Sequence, residues 1–499
     1  MARFAAVDLG ASSGRVLLGR LGDGAPSLVE AHRFANRPVR LLGTLYWDVL
    51  SLYQEVLIGL RRSENLDGGG ELDAVGVDSW GVDYGLLDES GALLSNPIHY
   101  RDERTTHVVD KVLAAVSANR LYATTGIQHQ PFNTIFQLAA EKPDLLAVAS
   151  TAMLIPDLIG FWLSNVRGTE LTNASTTGLL DARTRSWSTE IAASAGIRLD
   201  LFAPLRKPAS AIAPITPSVR AGAGIASTPS IIAVPSHDTA AAVAGVPADT
   251  DRFAFVCTGT WALVGVELAG PVLTDDARAS NFTNELGVGG RIRFLRNVTG
   301  FWLLQECIRA WRARGMNVDA ATLTHASRDV PSLRAMINVQ DPAFSTPGDM
   351  PARIRNAVGD VALTSPAEVT RCILDSMALA VRHAIRDAVR LSGRDVDVVH
   401  VVGGGVASDV FCQAVADACA LPVLAGPIEA AAWGNAISQA QALGIVPPGP
   451  EAGRAVVRTA EPLVRYDPRP DDAAWSRADE VVPGRPESAP PRDLDEHGG

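Results

Sequence analysis

The stretch "VPSHDTAAAV", Val234 to Val243, sets Ser236, His237, Asp238 and Thr239 at the mouth of a run of small helix formers. Two kinds of chemistry suit those residue types. Asp238 can cap a helix that begins at Thr239, because short oxygen-bearing side chains satisfy the free N–H groups of a first turn. Held at the edge of a cleft, the same carboxylate can take a proton from a bound hydroxyl. A Ser–His–Asp relay within the stretch is excluded, since neighbours on an extended segment point to opposite sides.

A second candidate is "VDLGASSGR", in which a strand ends on Asp8 and the chain turns through Gly10, Ala11, Ser12, Ser13 and Gly14 to Arg15. Glycines let the backbone approach a ligand closely, and successive N–H groups in such a turn form an anion-binding nest. Asp8 is placed to face Mg²⁺ through the waters that this ion gives up reluctantly. A plain Gly-Ser hairpin has the same residues. The balance shifts because "RFAFVCTGTWALVG" repeats the pattern, with Phe253 on Phe4, Gly259 on Gly10 and Thr260 on Ala11. Two opposed hairpins of this kind can clasp a polyphosphate. The match to the hydrolase elbow G-x-S-x-G fails, because a helix must follow that serine and "RVLLGRL" reads as strand.

Three further stretches carry polar chemistry. "DSWGVD" sets Asp78, Trp80 and Asp83 about Gly81, offering a ring face for sugar C–H groups and oxygens for hydroxyls; a core tryptophan between turn acids reads the same. "HYRDERT" is an acid-basic cluster or a helix start capped by Asp102. The consecutive Gly403, Gly404 and Gly405 can lie flat under an aromatic base, and the dinucleotide fingerprint fails because Ser408 stands at its third glycine position. Asn297 and Gln305 flank the turn "NVTG", where neutral polar residues commonly act as caps.

The elements that must position these residues follow from the whole chain. With 499 residues, 47% of them apolar and 20% charged, it is an ordinary globule too long for one core, so two or three domains with a groove between them are expected. No stretch has the length of uncharged apolar sequence that crosses a bilayer, and "MARFAAVDLGASSGR" lacks a signal-peptide layout; the expected location is the cytosol. A net charge of −11 argues against a nucleic-acid surface. Lysine occurs only at Lys111, Lys142 and Lys207, and no G-x-x-x-x-G-K-[ST] is present, which excludes the lysine-dependent phosphate sites. Cys257, Cys307, Cys372, Cys412 and Cys419 are scattered without a C-x-x-C pair, so neither a disulfide framework nor a zinc site is indicated.

The echoed hairpin, together with the similar strands in "ELDAVGVDSWGVDYGLL" and "DVDVVHVVGGGVASDV", implies an internal duplication of a βββαβα-like unit. A first lobe is expected over 1–245, with helices near 104–117, 134–148 and 156–163 and an irregular connection over 207–229. A second is expected over 246–470, with helices near 300–312, 367–391, 409–420 and 429–443. The Pro-rich, charged segment 471–499 is expected to be disordered.

With these motifs assembled, the chain resembles the FGGY family of carbohydrate kinases. "VDLGASSGRV", "WGVD", "YRDERT", "PFNT", "LTNASTT", "SHDTA", "TGTWALVG", "VVGGG" and "AGPIEA" carry the resemblance, in this order, from Phe4 to about Leu443. It implies an α/β, two-lobed actin-like and hexokinase-like ATPase fold of duplicated ribonuclease H-like domains, with sugar deep in a central cleft and MgATP above it. By similarity, Ala11, Ser12, Ser13, Gly14 and Arg15 hold the ATP phosphates and Asp8 faces Mg²⁺ through water. Thr260 and Gln305 contact ATP, and Gly403, Gly404 and Gly405 lie at the adenosine. Gly81, His237, Thr239 and Asn297 border the sugar, and Asp238 is the base.

The implied reaction transfers the γ-phosphate of ATP to the 1-hydroxyl of L-rhamnulose, with L-fuculose or L-xylulose as alternative acceptors. The implied partners are small molecules, with no nucleic acid or membrane, and the protein is expected to be a monomer or small homo-oligomer. A sugar-independent actin-like ATPase offers no reason for "SHDTA" in the cleft. Cys257, Thr258 and Ala262 stand where serines are common in the family's hairpin, and Cys257 there would make ATP binding sensitive to oxidation.

Overall fold

Long apolar runs such as "FAAV" and "FAFV" suit strands covered on both faces, and each lies at the centre of a sheet. The computed structural model describes residues 1–469, 472–480 and 482. Its first sheet comprises β1 (Ala2–Leu9), β2 (Ser13–Leu21), β3 (Ser27–Ala35), β4 (Ala74–Ser79), β5 (Ser210–Pro214) and β6 (Ser230–Ala233), in the spatial order β5-β6-β4-β1-β2-β3. The second comprises β7 (Phe253–Thr258), β8 (Trp261–Leu268), β9 (Thr283–Leu286), β10 (Ile292–Thr299), β11 (Val398–Gly403), β12 (Val423–Ala425) and β13 (Val464–Tyr466), in the order β9-β10-β8-β7-β11-β12-β13. In both, an N-terminal antiparallel hairpin pairs in parallel with a later strand, β1 with β4 and β7 with β11. The repeated unit read from the hairpins is thus a repeated sheet.

The helix Asp238–Ala244 and the helix Ala430–Ala442 cross between the sheets. Their approach is so close that a Cβ on Gly434 would lie 1.9 Å from the Ala241 carbonyl oxygen, and one on Gly245 2.1 Å from that of Ala430. Only glycine permits this crossing. Although it comes late in the chain, the helix Ala430–Ala442 packs on the first sheet, where Gln439 Nε2 donates to the Ala5 carbonyl (3.1 Å) and Asn435 Nδ2 to that of Gly76 (3.2 Å). The seam between lobes is therefore built from both halves of the sequence.

Several elements differ from expectation for identifiable reasons. The helix expected over 134–148 is two, Thr134–Ala139 and Pro143–Val148, because a proline disfavours helical backbone in the residue before it. The helix expected over 104–117 is reduced to a short turn at Glu103–Thr105 and the helix Val109–Ala115. The connection 207–229 is not irregular throughout: it holds β5 and the helix Pro217–Ala223. Within the segment expected to be disordered, Asp472–Glu480 is a helix whose Trp475, 3% exposed, joins the core of the second lobe. An indole with apolar surface to bury anchors it, and Ser476 also accepts from Arg382 (3.2 Å). The rest of that segment, apart from Val482, lies outside the described residues. Among the described residues no helix is long and apolar enough to cross a membrane.

Candidate active site

A cavity of about 420 Å³ opens between the lobes and takes its walls from both. Both hairpin turns line it. The first is closed by the Gly10 N–H donating to the Ser13 carbonyl (2.9 Å) and steadied by Asn36, whose amide donates to the Gly10 carbonyl (2.9 Å). The second is closed by the Gly259 N–H donating to the Trp261 carbonyl (2.8 Å). Thr258 ties this hairpin to the triple-glycine loop: its hydroxyl donates to the Val402 carbonyl (2.6 Å) and accepts from the Gly405 N–H (2.8 Å).

Ala11, Ser12, Ser13 and Arg15 reach the cavity from the first hairpin, Thr260 from the second, and Gly403 and Gly404 from the loop. Gly403 has a φ of 84°, and a Cβ there would strike the Thr258 carbonyl at 2.4 Å, so this bend requires glycine. Three expected contacts with ATP do not line the cavity. Gly14 makes room for the Phe34 ring, which a Cβ would meet at 2.3 Å. Gly405 is buried against Thr258 and Phe301, and Gln305 is exposed on the helix Trp302–Ala313.

The same cavity is lined by His237, Asp238 and Thr239. Asp238 is not a cap. It is the first residue of its helix, and His237 occupies the cap position without a side-chain capping bond. Asp238 Oδ1 instead accepts from the Thr239 hydroxyl (3.1 Å), and the carboxyl lines the cavity. Loss of bulk water pushes its pKa up, His237 pulls it back, and the charge of Asp8 adds to the rise. The preceding segment is pinned by Glu170, whose Oε2 accepts from the Ser236 N–H (3.0 Å) and hydroxyl (2.9 Å). Nothing in the spacing of "GTELTNA" marks Glu170 for this task; its partner is far away in sequence.

His237 and Thr239 also line the cavity, as do Gly81 and Asn297, so the four residues expected to border the sugar converge on one space. Asn297 Nδ2 donates across the lobes to Gln128 Oε1 (3.1 Å). Trp80, Tyr100 and Phe132 supply an aromatic wall. Of the two readings of the acids beside Trp80, the structure favours the one in which they face away from a ligand. Asp83 is fully buried and accepts from the indole N–H groups of Trp47 (2.6 Å) and Trp80 (3.0 Å), the Tyr100 N–H (3.1 Å) and Gln137 (2.7 Å). Its oxygens orient the ring and are not available to a ligand. Asp78 is likewise buried behind the cavity, accepting from Asn435 Nδ2 (2.5 Å). Between these acids Val82 has a φ of 67°, a strained conformation for a β-branched residue. Its carbonyl accepts from the Thr134 hydroxyl (2.7 Å) and its N–H donates to that of Thr176 (3.3 Å).

Arg15 spans Asp8 (2.6 Å) and Glu429 (2.5 Å), so charges from both lobes meet beside the first turn. Among the described residues no group of three or more His, Cys, Asp or Glu is arranged to hold a metal directly. One cavity carboxylate, Asp8, with the unpartnered buried Asp78 Oδ1 behind it, fits a hydrated Mg²⁺ that arrives with phosphates.

The sequence profile of the N-terminal domain of the FGGY family of carbohydrate kinases matches residues 5–245, and that of the C-terminal domain residues 254–443. A rhamnulokinase of Enterococcus faecalis is 38% identical over 476 residues, 94% of this chain and 95% of that protein. A rhamnulokinase of Bacteroides thetaiotaomicron is 37% identical over 482 residues, 95% of this chain and 97% of that protein. Among solved structures, the ligand-bound xylulose kinase from Lactobacillus acidophilus shares the fold, with a TM-score of 0.79 at 18% identity over 96% of this chain and 98% of that one.

Proposed function

The chain belongs to the FGGY family of carbohydrate kinases, and from that membership we propose that it transfers the γ-phosphate of ATP to the 1-hydroxyl of L-rhamnulose, giving L-rhamnulose 1-phosphate. The observation that carries the reading is the presence of Asp238 in the same cavity as both glycine turns. The choice of sugar rests on the relatives named rhamnulokinase.

Phosphoryl transfer asks a protein for alignment, charge neutralisation and a base. The two turns present backbone N–H groups to the phosphates, joined by the hydroxyls of Ser12, Ser13 and Thr260. Gly403 and Gly404 leave a flat floor for the adenine. The sugar lies against Trp80 and Tyr100, its hydroxyls met by His237, Thr239 and Asn297. Asp238 accepts the proton of the attacking hydroxyl as the new bond forms. Mg²⁺, carried in with ATP and met by Asp8 through water, would neutralise phosphate charge. ATP as donor accords with a cytosolic enzyme.

A coupled ADP assay with ATP, Mg²⁺ and a panel of L-rhamnulose, L-fuculose, L-xylulose and glycerol tests the reading. L-Rhamnulose is expected to give the highest kcat/KM. A higher value for another member replaces the sugar and keeps the kinase; an ATPase indifferent to every sugar ends the reading.

A further inference from the structure

His237 has a second set of contacts, on the side of its ring away from Asp238. Its Nδ1 lies 3.1 Å from Arg293 Nη2 and 3.2 Å from Glu285 Oε2, and those two charged groups are 3.0 Å apart. Both come from the second lobe, Glu285 on β9 and Arg293 on β10, whereas His237 belongs to the first. The Arg293 side chain is completely buried and that of Glu285 is 9% exposed. An ion pair taken out of water contributes little to stability by itself, so its geometry toward the histidine is the informative feature.

That geometry is fixed on every side. Arg293 Nε donates to the Leu286 carbonyl (3.1 Å), which sets the plane of the guanidinium. Burial works against the charge on Glu285, yet the Arg293 guanidinium holds its carboxyl below the usual range. The strand β9 that carries Glu285 is stitched to the first lobe on both sides of it. The Asn284 N–H donates to the Gly126 carbonyl (2.8 Å), and the Leu286 N–H donates to the Ser175 hydroxyl (2.9 Å). Glu285 is therefore held against His237 by bonds to the first lobe on either side and by its strand pairing in the second.

An arginine can only donate. Of the two groups at Nδ1, Arg293 is hydrogen-bonded to it whereas Glu285 Oε2 has no hydrogen-bond partner; the arginine's bond requires a lone pair on Nδ1, which puts the imidazole N–H on Nε2, the nitrogen 3.6 Å from Asp238 Oδ1. We infer that Glu285 and Arg293 are positioning residues, which lock His237 with its Nε2–H presented to Asp238 and to the acceptor hydroxyl. The second lobe thereby sets the hydrogen-bond donor that orients the sugar in the first. This rests on the sugar-kinase reading above and adds to it Arg293, buried behind the cavity wall, and Glu285, which forms part of that wall.

Two measurements test it. Ring ¹⁵N labelling of histidine in the wild-type protein, with His237 assigned by the signal lost in H237N, is expected to report the Nε2–H tautomer. An Nδ1–H tautomer would overturn the inference, and this measurement needs neither substrate nor a folded variant at 285 or 293. In kinetics, E285Q and R293K are expected to raise the sugar KM about tenfold while ATP KM stays within about twofold. In an H237N background, E285Q should change the sugar KM by less than about twofold, since the imidazole it orients is gone. Additive losses in the double variant, or wild-type sugar KM in E285Q, would count against a role through the histidine. Wild-type turnover on the sugar panel is measured first, so a missing kinase activity is not mistaken for a missing positioning role.

Discussion

Asp8 and Asp78 are register partners on the parallel strands β1 and β4, so two carboxylates stand side by side at the end of the first sheet. Asp78 is the buried member, and its pKa is raised well above the ordinary range by burial first and by the charge of Asp8 next, with Asn435 opposing. A carboxyl raised in this way contributes stability that is fully present below its unfolded value, about 4, and is lost as pH climbs through the folded value. D78N removes that loss and keeps an oxygen for Asn435. Its melting temperature, relative to wild type, is expected to rise progressively as pH increases above about 4. A difference that stays constant from pH 4.5 to pH 8 would mean that Asp78 does not titrate in this window.

Asp238 is assigned the proton of the attacking hydroxyl, and D238N keeps its shape without its basicity. The kcat is expected to fall ~10²-fold or more, with sugar KM close to wild type. Because burial raises the Asp238 pKa despite the pull of His237, the acid limb of kcat/KM should lie above the ordinary aspartate value of about 4, with activity rising as the base ionises. Retained turnover in D238N would remove Asp238 from the chemistry.

Much of this arrangement is legible in the residues. The apolar runs of β1 and β7, each followed by a glycine turn, mark both hairpins. Ser365 and Glu368 form a capping box at the start of the long helix Pro366–Ser392, a local signal of the kind sequence reading catches well. Directions of side chains are harder. Asp83 next to Trp80 looks like a sugar ligand, and Trp47, 36 positions away, with Tyr100 and Gln137, turns it into a buried acceptor. Glu170, Glu285, Arg293 and Asn435 escape notice for the same reason: each acts on a residue brought to it by the fold, with no spacing to announce it.

The Asp83 cluster makes its own prediction. Burial pushes its pKa up to about 6 against the hydrogen bonds it accepts, so its contribution to stability declines as pH rises through that value. D83A leaves two indole N–H groups and a backbone N–H without their acceptor, at about 1–3 kcal/mol for each group left buried and unpaired. Urea unfolding is expected to show a loss of at least about 3 kcal/mol, and D83N, which keeps an acceptor oxygen, a smaller one. Sugar KM should rise in D83A because Trp80 loses its anchor. A D83A protein as stable as wild type would show that the indoles find other partners.

Cys257 was expected to make nucleotide binding sensitive to oxidation, and its environment argues otherwise. It borders the cavity, yet only 7% of it is exposed, and burial pushes the thiol up to about 12. The thiolate is the reactive form of cysteine, so at neutral pH almost none is present. Cys372, Cys412 and Cys419 are also raised to about 12 by burial, so none of these three offers an easier target. Mild peroxide or iodoacetamide at pH 8 is expected to leave kcat and ATP KM unchanged, with no mass added at Cys257. Inactivation that tracks modification of Cys257, and that C257S abolishes, would show that the cleft opens far enough to ionise this thiol.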